Sequence, residues 1–362
     1  MKNQYVQLAK SVLTNDIVYL IFFVTARCNA RCKMCFNWKA IDHADQKKEL
    51  TLPEIKKISK NFPNFIYLTI SGGEPFLRSD LAEIVGTFIE NNNVQFVSIP
   101  TNGFFTEKIK ATCETLFKKY PKASFRIILS IDAIGERHNY IRDTKGIFGK
   151  LLNTYEALDI LRKKYNNFNL DVSTTMSKYN KKDILKTFEW VKKNLNIDNH
   201  VLAYIRGQPR VQDALDVPAS EYKKVAKYVE ENTIKKEDRR KTLALMMLKA
   251  LKLSMRDIIV ETKKKNKQII PCLSGKKMVV MTEEGDIFPC ELLNMKLGNI
   301  REAGYDIKKI LKSEKAKSVV KWIRDNKCFC TFECAVQNNL AYNPVNFPRL
   351  AAKFAKVMLR KT

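Results

Sequence analysis

Histidine is scarce in this chain: only His43, His138 and His200 occur in 362 residues, which argues against a histidine-built metal centre or proton relay. No signal-peptide pattern opens the sequence, so its nine cysteines are not those of a secreted disulfide scaffold and point instead to thiols kept reduced in a cytoplasm. Nor is there a membrane span. The apolar run near the start, Val18–Thr25, is short and breaks into polar residues at Thr25 and Arg27, so it reads as a buried strand. Internal repeats and low-complexity tracts are absent. Acidic residues are also in deficit, 38 Asp plus Glu against 65 Lys plus Arg, for a formal net charge of +27. That excess favours anionic partners such as nucleotides, phosphorylated metabolites, nucleic acid or an acidic membrane face, and chooses none of them.

What is present is enough apolar material, 45% of residues, to fill a substantial core, over a length that fits two domains. From Asp16 to about Arg206, short β-branched runs alternate with amphipathic stretches. The runs are Val18–Thr25, Phe65–Ser71, Gln95–Pro100, Phe125–Ile131, Asn169–Thr175 and Val201–Ile205. Helices are expected at Leu52–Asn61, Leu81–Asn91, Glu107–Tyr120, Ile147–Lys164 and Lys182–Leu195. Strands apolar on both faces imply an α/β fold with a helix-covered parallel sheet, and periodicity alone leaves open a Rossmann-like sheet or most of a barrel. In either case the site belongs at the carboxyl ends of the strands.

Residues Ser220–Gln268 read as a basic helical connector with an apolar stripe of Leu243, Leu245, Met246, Met247, Leu248, Leu251 and Leu253 meant for packing. Beyond Pro271, Met278–Met281 and Ile287–Cys290 flank Thr282-Glu283-Glu284-Gly285-Asp286 as a β-hairpin. The divisions expected are an N-terminal segment 1–15, a core 16–215, the connector 216–268, a small hairpin-plus-helix domain 269–336 and a basic tail 337–362.

Cysteine carries the chemistry. Cys28-Asn29-Ala30-Arg31-Cys32-Lys33-Met34-Cys35 follows the first strand directly, placing three thiols in one loop at that strand's carboxyl end. At C-x3-C-x2-C spacing they can wrap three corners of a metal cluster and leave one metal site without a protein ligand. A zinc knuckle would need a fourth ligand, for which His43 is the candidate nearby. Ser71-Gly72-Gly73-Glu74-Pro75 ends the second strand, Pro100-Thr101-Asn102-Gly103 the third and Leu129-Ser130-Ile131-Asp132-Ala133 the fourth. His138, Arg142 and Gly146 follow at His-x3-Arg-x3-Gly spacing. Singly, each polar residue is as well explained by a turn or cap as by a ligand; together they stand at successive strand ends.

In that order these motifs resemble the radical S-adenosylmethionine (SAM) superfamily over roughly the first two hundred residues. The resemblance implies a partial (β/α)6, TIM-like barrel and a [4Fe–4S] cluster on Cys28, Cys32 and Cys35 whose fourth iron binds SAM. Reductive cleavage of SAM then gives a 5′-deoxyadenosyl radical that abstracts a substrate hydrogen. It further implies that Gly72, Gly73, Glu74 and Pro75 hold the SAM ammonium, that Ser130 and Asp132 reach its ribose or carboxylate, that Asn102 belongs to the same cofactor site, and that Arg142 pairs with the carboxylate. Met34 stands where the family often has an aromatic beside adenine, and Ala133 where it commonly has glycine.

A second set, Cys272-x12-Gly285-x4-Cys290 with Cys328-x-Cys330-x3-Cys334, resembles the C-terminal SPASM or twitch extension that carries auxiliary Fe–S clusters. The full extension uses seven cysteines. With five here, one auxiliary [4Fe–4S] cluster is the most that thiolates alone can hold, on Cys272, Cys290 and Cys334 with Cys330 or Cys328 as the fourth; zinc is the competitor. Cys113, in a helix among Ala111, Leu116 and Phe117, reads as a buried inert thiol.

The substrate is less legible. Arg206 and Arg210, in Tyr204-Ile205-Arg206-Gly207-Gln208-Pro209-Arg210 after the sixth strand, are candidates to receive a phosphate or carboxylate. In the tail, Leu350, Phe354, Val357 and Met358 share a helical face beside Lys353, Lys356, Arg360 and Lys361, suited to an anionic bilayer or to the protein's own core. The leading reading is an oxidoreductase or carbon-skeleton-modifying enzyme acting on a small, anionic, cofactor- or sugar-type molecule, supplied with electrons by a donor such as flavodoxin or ferredoxin. A peptide maturase is an alternative, with little room before the first strand for a leader-recognising domain. A basic zinc protein bound to nucleic acid is another, although Lys is spread along the helices here and is not gathered with exposed aromatics on one face.

Overall fold

The computed structural model describes residues 16–237 and 243–359, together with Val12 and Thr14. The rest of the N-terminal segment 1–15, residues 238–242, Arg360 and Lys361, and the Leu245 side chain lie outside the described residues.

Nine strands form one sheet: β1 Tyr19–Thr25, β2 Tyr67–Gly72, β3 Phe96–Thr101, β4 Ser124–Ser130, β5 Phe168–Met176, β6 Asn199–Tyr204, β7 Met278–Met281, β8 Asp286–Phe288 and β9 Gly298–Asn299. The helices are α1 Trp38–Asp42, α2 Leu52–Asn61, α3 Leu81–Asn92, α4 Thr106–Lys119, α5 Glu136–Arg142, α6 Ile147–Lys164, α7 Ile184–Asn194, α8 Ala219–Glu237, α9 Leu243–Lys265, α10 Ile307–Lys312, α11 Glu314–Asp325, α12 Glu333–Tyr342 and α13 Phe347–Leu359. Local sequence explains several bounds. At α2, Thr51 Oγ1 accepts the Glu54 N–H while Glu54 accepts the Thr51 N–H, and Pro53 sits in the first turn. Asn93 ends α3 in the left-handed region at φ 53°.

Strand order settles the question that periodicity left open. The sheet runs β6-β5-β4-β3-β2-β1, all parallel, with no reversal of direction. A doubly wound sheet reverses at a switch point; winding one way keeps the helices on one face and curls the strands into an arc of barrel. The helix-facing rows, among them Leu20, Phe22 and Val24 of β1 and Phe125, Ile127 and Leu129 of β4, share one core with Ile55, Ile84, Leu116, Cys113 and Leu151. Cys113 is thus the inert thiol expected.

The opposite, concave face departs from expectation. On β2, β3 and β4, residues Tyr67, Thr69, Ser71, Phe96, Ser98, Pro100, Arg126, Ile128 and Ser130 alternate with the buried row and stay partly open. These strands are not sealed on both faces, because the inside of the arc is a lumen.

The C-terminal hairpin is sewn onto the same sheet. β7 pairs in parallel with β1, Tyr19 opposite Met278 and Phe22 opposite Met281, and antiparallel with β8. Gly285 makes the turn at φ 86°, its N–H bonded to Thr282 O at 3.0 Å. The connector is helical, as α8 and α9, but its stripe is only partly core: Leu253 is 5% exposed and Leu243 68%. The tail helix α13 lies against α9, where Val357 and Phe354 pack on Ala250, Leu253 and Met246. Lys353 pairs with Asp257, and Arg349 with Glu261. Part of the apolar face that suited a bilayer is therefore packed on α9, while Met358 stays 40% exposed. Among the described residues, no helix is long and apolar enough to cross a membrane.

Candidate functional site

The β1–β2 seam builds the first site. At Gly72, φ is +124° and a Cβ would stand 2.2 Å from Thr25 O; at Gly73 it would stand 2.1 Å from Arg27 O. The two glycines let the β2 backbone close onto the residues just ahead of Cys28, so their absent side chains serve chain against chain more than chain against ligand. Gly73 N–H bonds Thr25 O at 2.7 Å and Glu74 N–H bonds Arg27 O at 2.8 Å. The Glu74 carboxylate is thereby carried to the thiol loop. It accepts the Thr101 hydroxyl and the Asn102 N–H, each at 2.8 Å, and the Phe76 N–H at 3.3 Å at the start of the short turn opened by Pro75. Asn102 reaches back through Nδ2 to Asn29 Oδ1 at 2.8 Å, tying the third strand end to the cysteine loop.

Burial dominates the electrostatics. It pushes the Cys28 and Cys35 thiols up to about 12 each; Ala30 N–H opposes this at Cys28, while Cys32 and Glu74 add to it. Cys32 is also pushed up by burial and pulled back by Arg142, whose Nη1 is 3.8 Å from its sulfur. Arg142 is held in turn by Asp132, Nη2 to Oδ2 at 2.6 Å, and Asp132 Oδ1 accepts the Thr175 N–H at 2.9 Å. Arg142 thus stands paired with Asp132 and close to Cys32, at the edge of the thiol loop. His138 supports the same turn, its Nδ1 accepting the Asp132 N–H at 3.2 Å, and burial holds it well below the usual imidazole range. Met34 packs among Ala30, Ala133 and Ile141. Ser130 lies at the end of the concave row of β4. Asn29 was not singled out by the sequence, and its Nδ2 is buried with no hydrogen-bond partner.

The second set of thiols divides. Cys272, Cys290, Cys328 and Cys330 line one cavity of about 160 Å³ with Leu292 and Ile323; burial pushes the Cys290, Cys328 and Cys330 thiols up, Cys290 and Cys328 to about 11, and the neighbouring thiols add to it. Cys334 does not line that cavity. Its sulfur is hydrogen-bonded to the Tyr19 hydroxyl, which also meets Thr69 Oγ1 at 2.7 Å, and its charged neighbours are Glu291, Arg206 and Glu333. Cys334 nevertheless packs with Cys290 and Cys330 on one apolar cluster, beside the cavity that the other four thiols line. Among the described residues, no three His, Cys, Asp or Glu side chains are placed to hold a single metal ion. The rim arginines are also committed: Arg210 grips Asp42 at 2.7 and 2.8 Å, and Arg206 lies between Glu291 at 3.2 Å and Glu333 at 3.1 Å. Both are thus paired with carboxylates, with the Nε of each buried and without a hydrogen-bond partner.

The family model of the radical SAM superfamily matches residues 22–191, and that of the SPASM iron–sulfur cluster-binding domain matches 272–335. The chain belongs to the radical SAM superfamily and carries a SPASM domain. An AdoMet-dependent heme synthase of Methanosarcina barkeri is 28% identical over 300 residues, covering 80% of this chain and 81% of that protein. A GTP 3′,8-cyclase of Aquifex aeolicus is 27% identical over 53% of this chain and 58% of that one. The fold is similar to native anSMEcpe with bound AdoMet and the Cp18Cys peptide (TM-score 0.57, 18% identity, 94% and 99% of the two chains). SuiB of Streptococcus suis bound to S-adenosylmethionine shares it too (TM-score 0.56, 13% identity, 89% and 72%).

Membership brings a [4Fe–4S] cluster with SAM, and the SPASM domain an auxiliary Fe–S cluster. The residues present fit both. Buried thiols that cost free energy to ionise alone are stabilised as thiolates by iron, and the unsatisfied Asn29 amide beside Cys28 is a donor waiting for an acceptor.

Proposed function

We propose that this radical SAM enzyme oxidises or rearranges the carbon skeleton of a small molecule of the cofactor-precursor or sugar class. Cys28, Cys32 and Cys35 hold the first cluster, and Cys272, Cys290, Cys328 and Cys330 the auxiliary one. The carrying observation is the closure of Glu74 onto the Cys28 loop through the Gly72–Gly73 seam, which gathers three thiols and an acceptor-rich carboxylate at the ends of β1 and β2. When bound, cluster and SAM supply reductive SAM cleavage and, through it, hydrogen abstraction from the substrate. The chain's own residues prepare that step. Glu74 presents a carboxylate to the SAM ammonium, a charge-assisted contact. Arg142, fixed by Asp132, steadies the Cys32 thiolate. Met34, Ala133 and Ile141 form an apolar wall that keeps water from the site.

The relatives favour a small molecule, since their names carry heme and GTP. A reducing donor such as flavodoxin or ferredoxin, within a cytoplasm that keeps the thiols free, completes the reading. Anaerobically reconstituted protein should bind about eight iron atoms and release 5′-deoxyadenosine on reduction with SAM. Cys28, Cys32 and Cys35 changed together to Ala should abolish release; retained cleavage overturns the first site. Iron near four in the unaltered protein, or zinc in place of the remainder, overturns the auxiliary one. Deuterium transfer from labelled candidate substrates into 5′-deoxyadenosine then identifies the substrate.

A further inference from the structure

Arg206 belongs to neither thiol set and touches the neighbours of both. Its guanidinium carbon is 5.3 Å from the ring centre of Phe36, the residue after Cys35, and 4.6 Å from that of Phe332, two residues after Cys330. Nη2 meets Glu291, next in the chain to Cys290, and Nη1 meets Glu333. Glu333 is anchored by its other oxygen, which accepts the Tyr204 N–H at 2.6 Å at the end of β6. Behind the arginine, Gly207 turns the chain at φ +68°, where a Cβ would stand 3.1 Å from Phe36 and 3.2 Å from Leu292. The space between the cysteine loop and the SPASM domain is thus filled by one cation sandwiched between two rings and two carboxylates.

We propose that Arg206 is a positioning residue that locks the Cys35 loop to the Cys290 segment and, by offsetting the charge of Glu291, keeps the reduction potential of the auxiliary cluster from falling. The inference rests on the reading of Cys272, Cys290, Cys328 and Cys330 as that cluster's ligands. Potentials of Fe–S clusters follow net charge, hydrogen bonding and exposure around the sulfurs. A carboxylate next to a ligand disfavours the added electron, and a cation paired with it restores the balance, more effectively away from water. Arginine suits the place because its planar group can stack on Phe36 and Phe332 while donating in two directions; lysine supplies the charge without the plane.

The test is an EPR-monitored redox titration at pH 8.5. It uses full-length protein in which Cys28, Cys32 and Cys35 are Ala, so that the auxiliary cluster is read alone. About four irons must remain in that background. Their loss overturns the ligand assignment itself, before Arg206 is at issue. With the cluster present, Arg206→Met should shift the electron-transfer equilibrium at least tenfold toward the oxidised form, about 59 mV for one electron. Arg206→Lys should recover more than half of that shift, and Glu291→Gln should move the potential upward. A loaded Arg206→Met protein with unchanged potential overturns the proposal. Should Arg206→Met fail to load iron, an unchanged potential in Glu291→Gln overturns it equally.

Discussion

Glu74 is 1% exposed, and burial pushes its carboxyl from 4.5 up to about 7 against the pull of the Asn102, Thr101 and Phe76 donors and of Arg142. The folded protein therefore holds this proton more tightly than the unfolded chain does, and the stability linked to it is complete below pH 4.5 and lost as the pH climbs to 7. A gap of about 2.5 pH units, at about 1.4 kcal/mol each, comes to about 3–4 kcal/mol, most of it lost between pH 5 and pH 8. Glu74→Gln keeps the shape and removes the titration: its carbonyl can face the Asn102 N–H, and its amide can donate to Thr101 Oγ1. Urea unfolding of the metal-free protein under argon should show the unaltered chain losing about 3 kcal/mol between pH 5 and pH 8 relative to the variant. Binding should move the other way. A charge-assisted contact of about 1.5–3 kcal/mol is lost with the carboxylate, so reconstituted Glu74→Gln should bind SAM on the order of tens to a hundredfold more weakly at pH 8 by calorimetry. Parallel pH profiles for the two proteins, or equal SAM affinities, would refute the reasoning.

Serine at Cys272, Cys290, Cys328 or Cys330 should each lower bound iron from about eight to about four per chain, whereas Cys334→Ser should leave it near eight by colorimetric iron assay. Gly73→Ala forces a methyl to within 2.1 Å of the Arg27 carbonyl oxygen, so the seam must open; SAM cleavage should fall below detection while the far-ultraviolet circular dichroism stays that of a folded barrel. Val357→Asp buries an unpaired charge between α13 and α9 and should lower stability by about 3 kcal/mol in thermal unfolding.

Much of the barrel was legible because its signals are local. The runs at Val18–Thr25 and Phe125–Ile131 became β1 and β4 within a residue at each end, and α2 and α6 began and ended where their apolar spacing and caps placed them. What escaped was set by partners distant in sequence. Nothing in Met278–Met281 says that it will pair with Tyr19–Phe22, more than 250 residues earlier, and so extend the barrel sheet. Nothing in Arg142 announces Asp132 and Cys32 as its partners, since an arginine at the end of a helix looks the same whatever its charge will meet.

Cys334 is a different case, because the information that fixes its direction was in the chain. Cys328 and Cys330 lie in the segment ahead of α12, free to turn toward Cys272 and Cys290. Cys334 is the second residue of the helix, so its direction is dictated by helical phase. Residues four apart share a face. Cys334 therefore shares its face with Asn338 and Tyr342; Tyr342 is hydrogen-bonded to Tyr67 and Cys334 to Tyr19, both on the concave side of the sheet. Counting cysteines by their spacing treats C-x-C-x3-C as one motif. Recognising that a helix starts at Glu333 splits it, leaving two thiols in the segment ahead of the helix and fixing the direction of the third by helical phase.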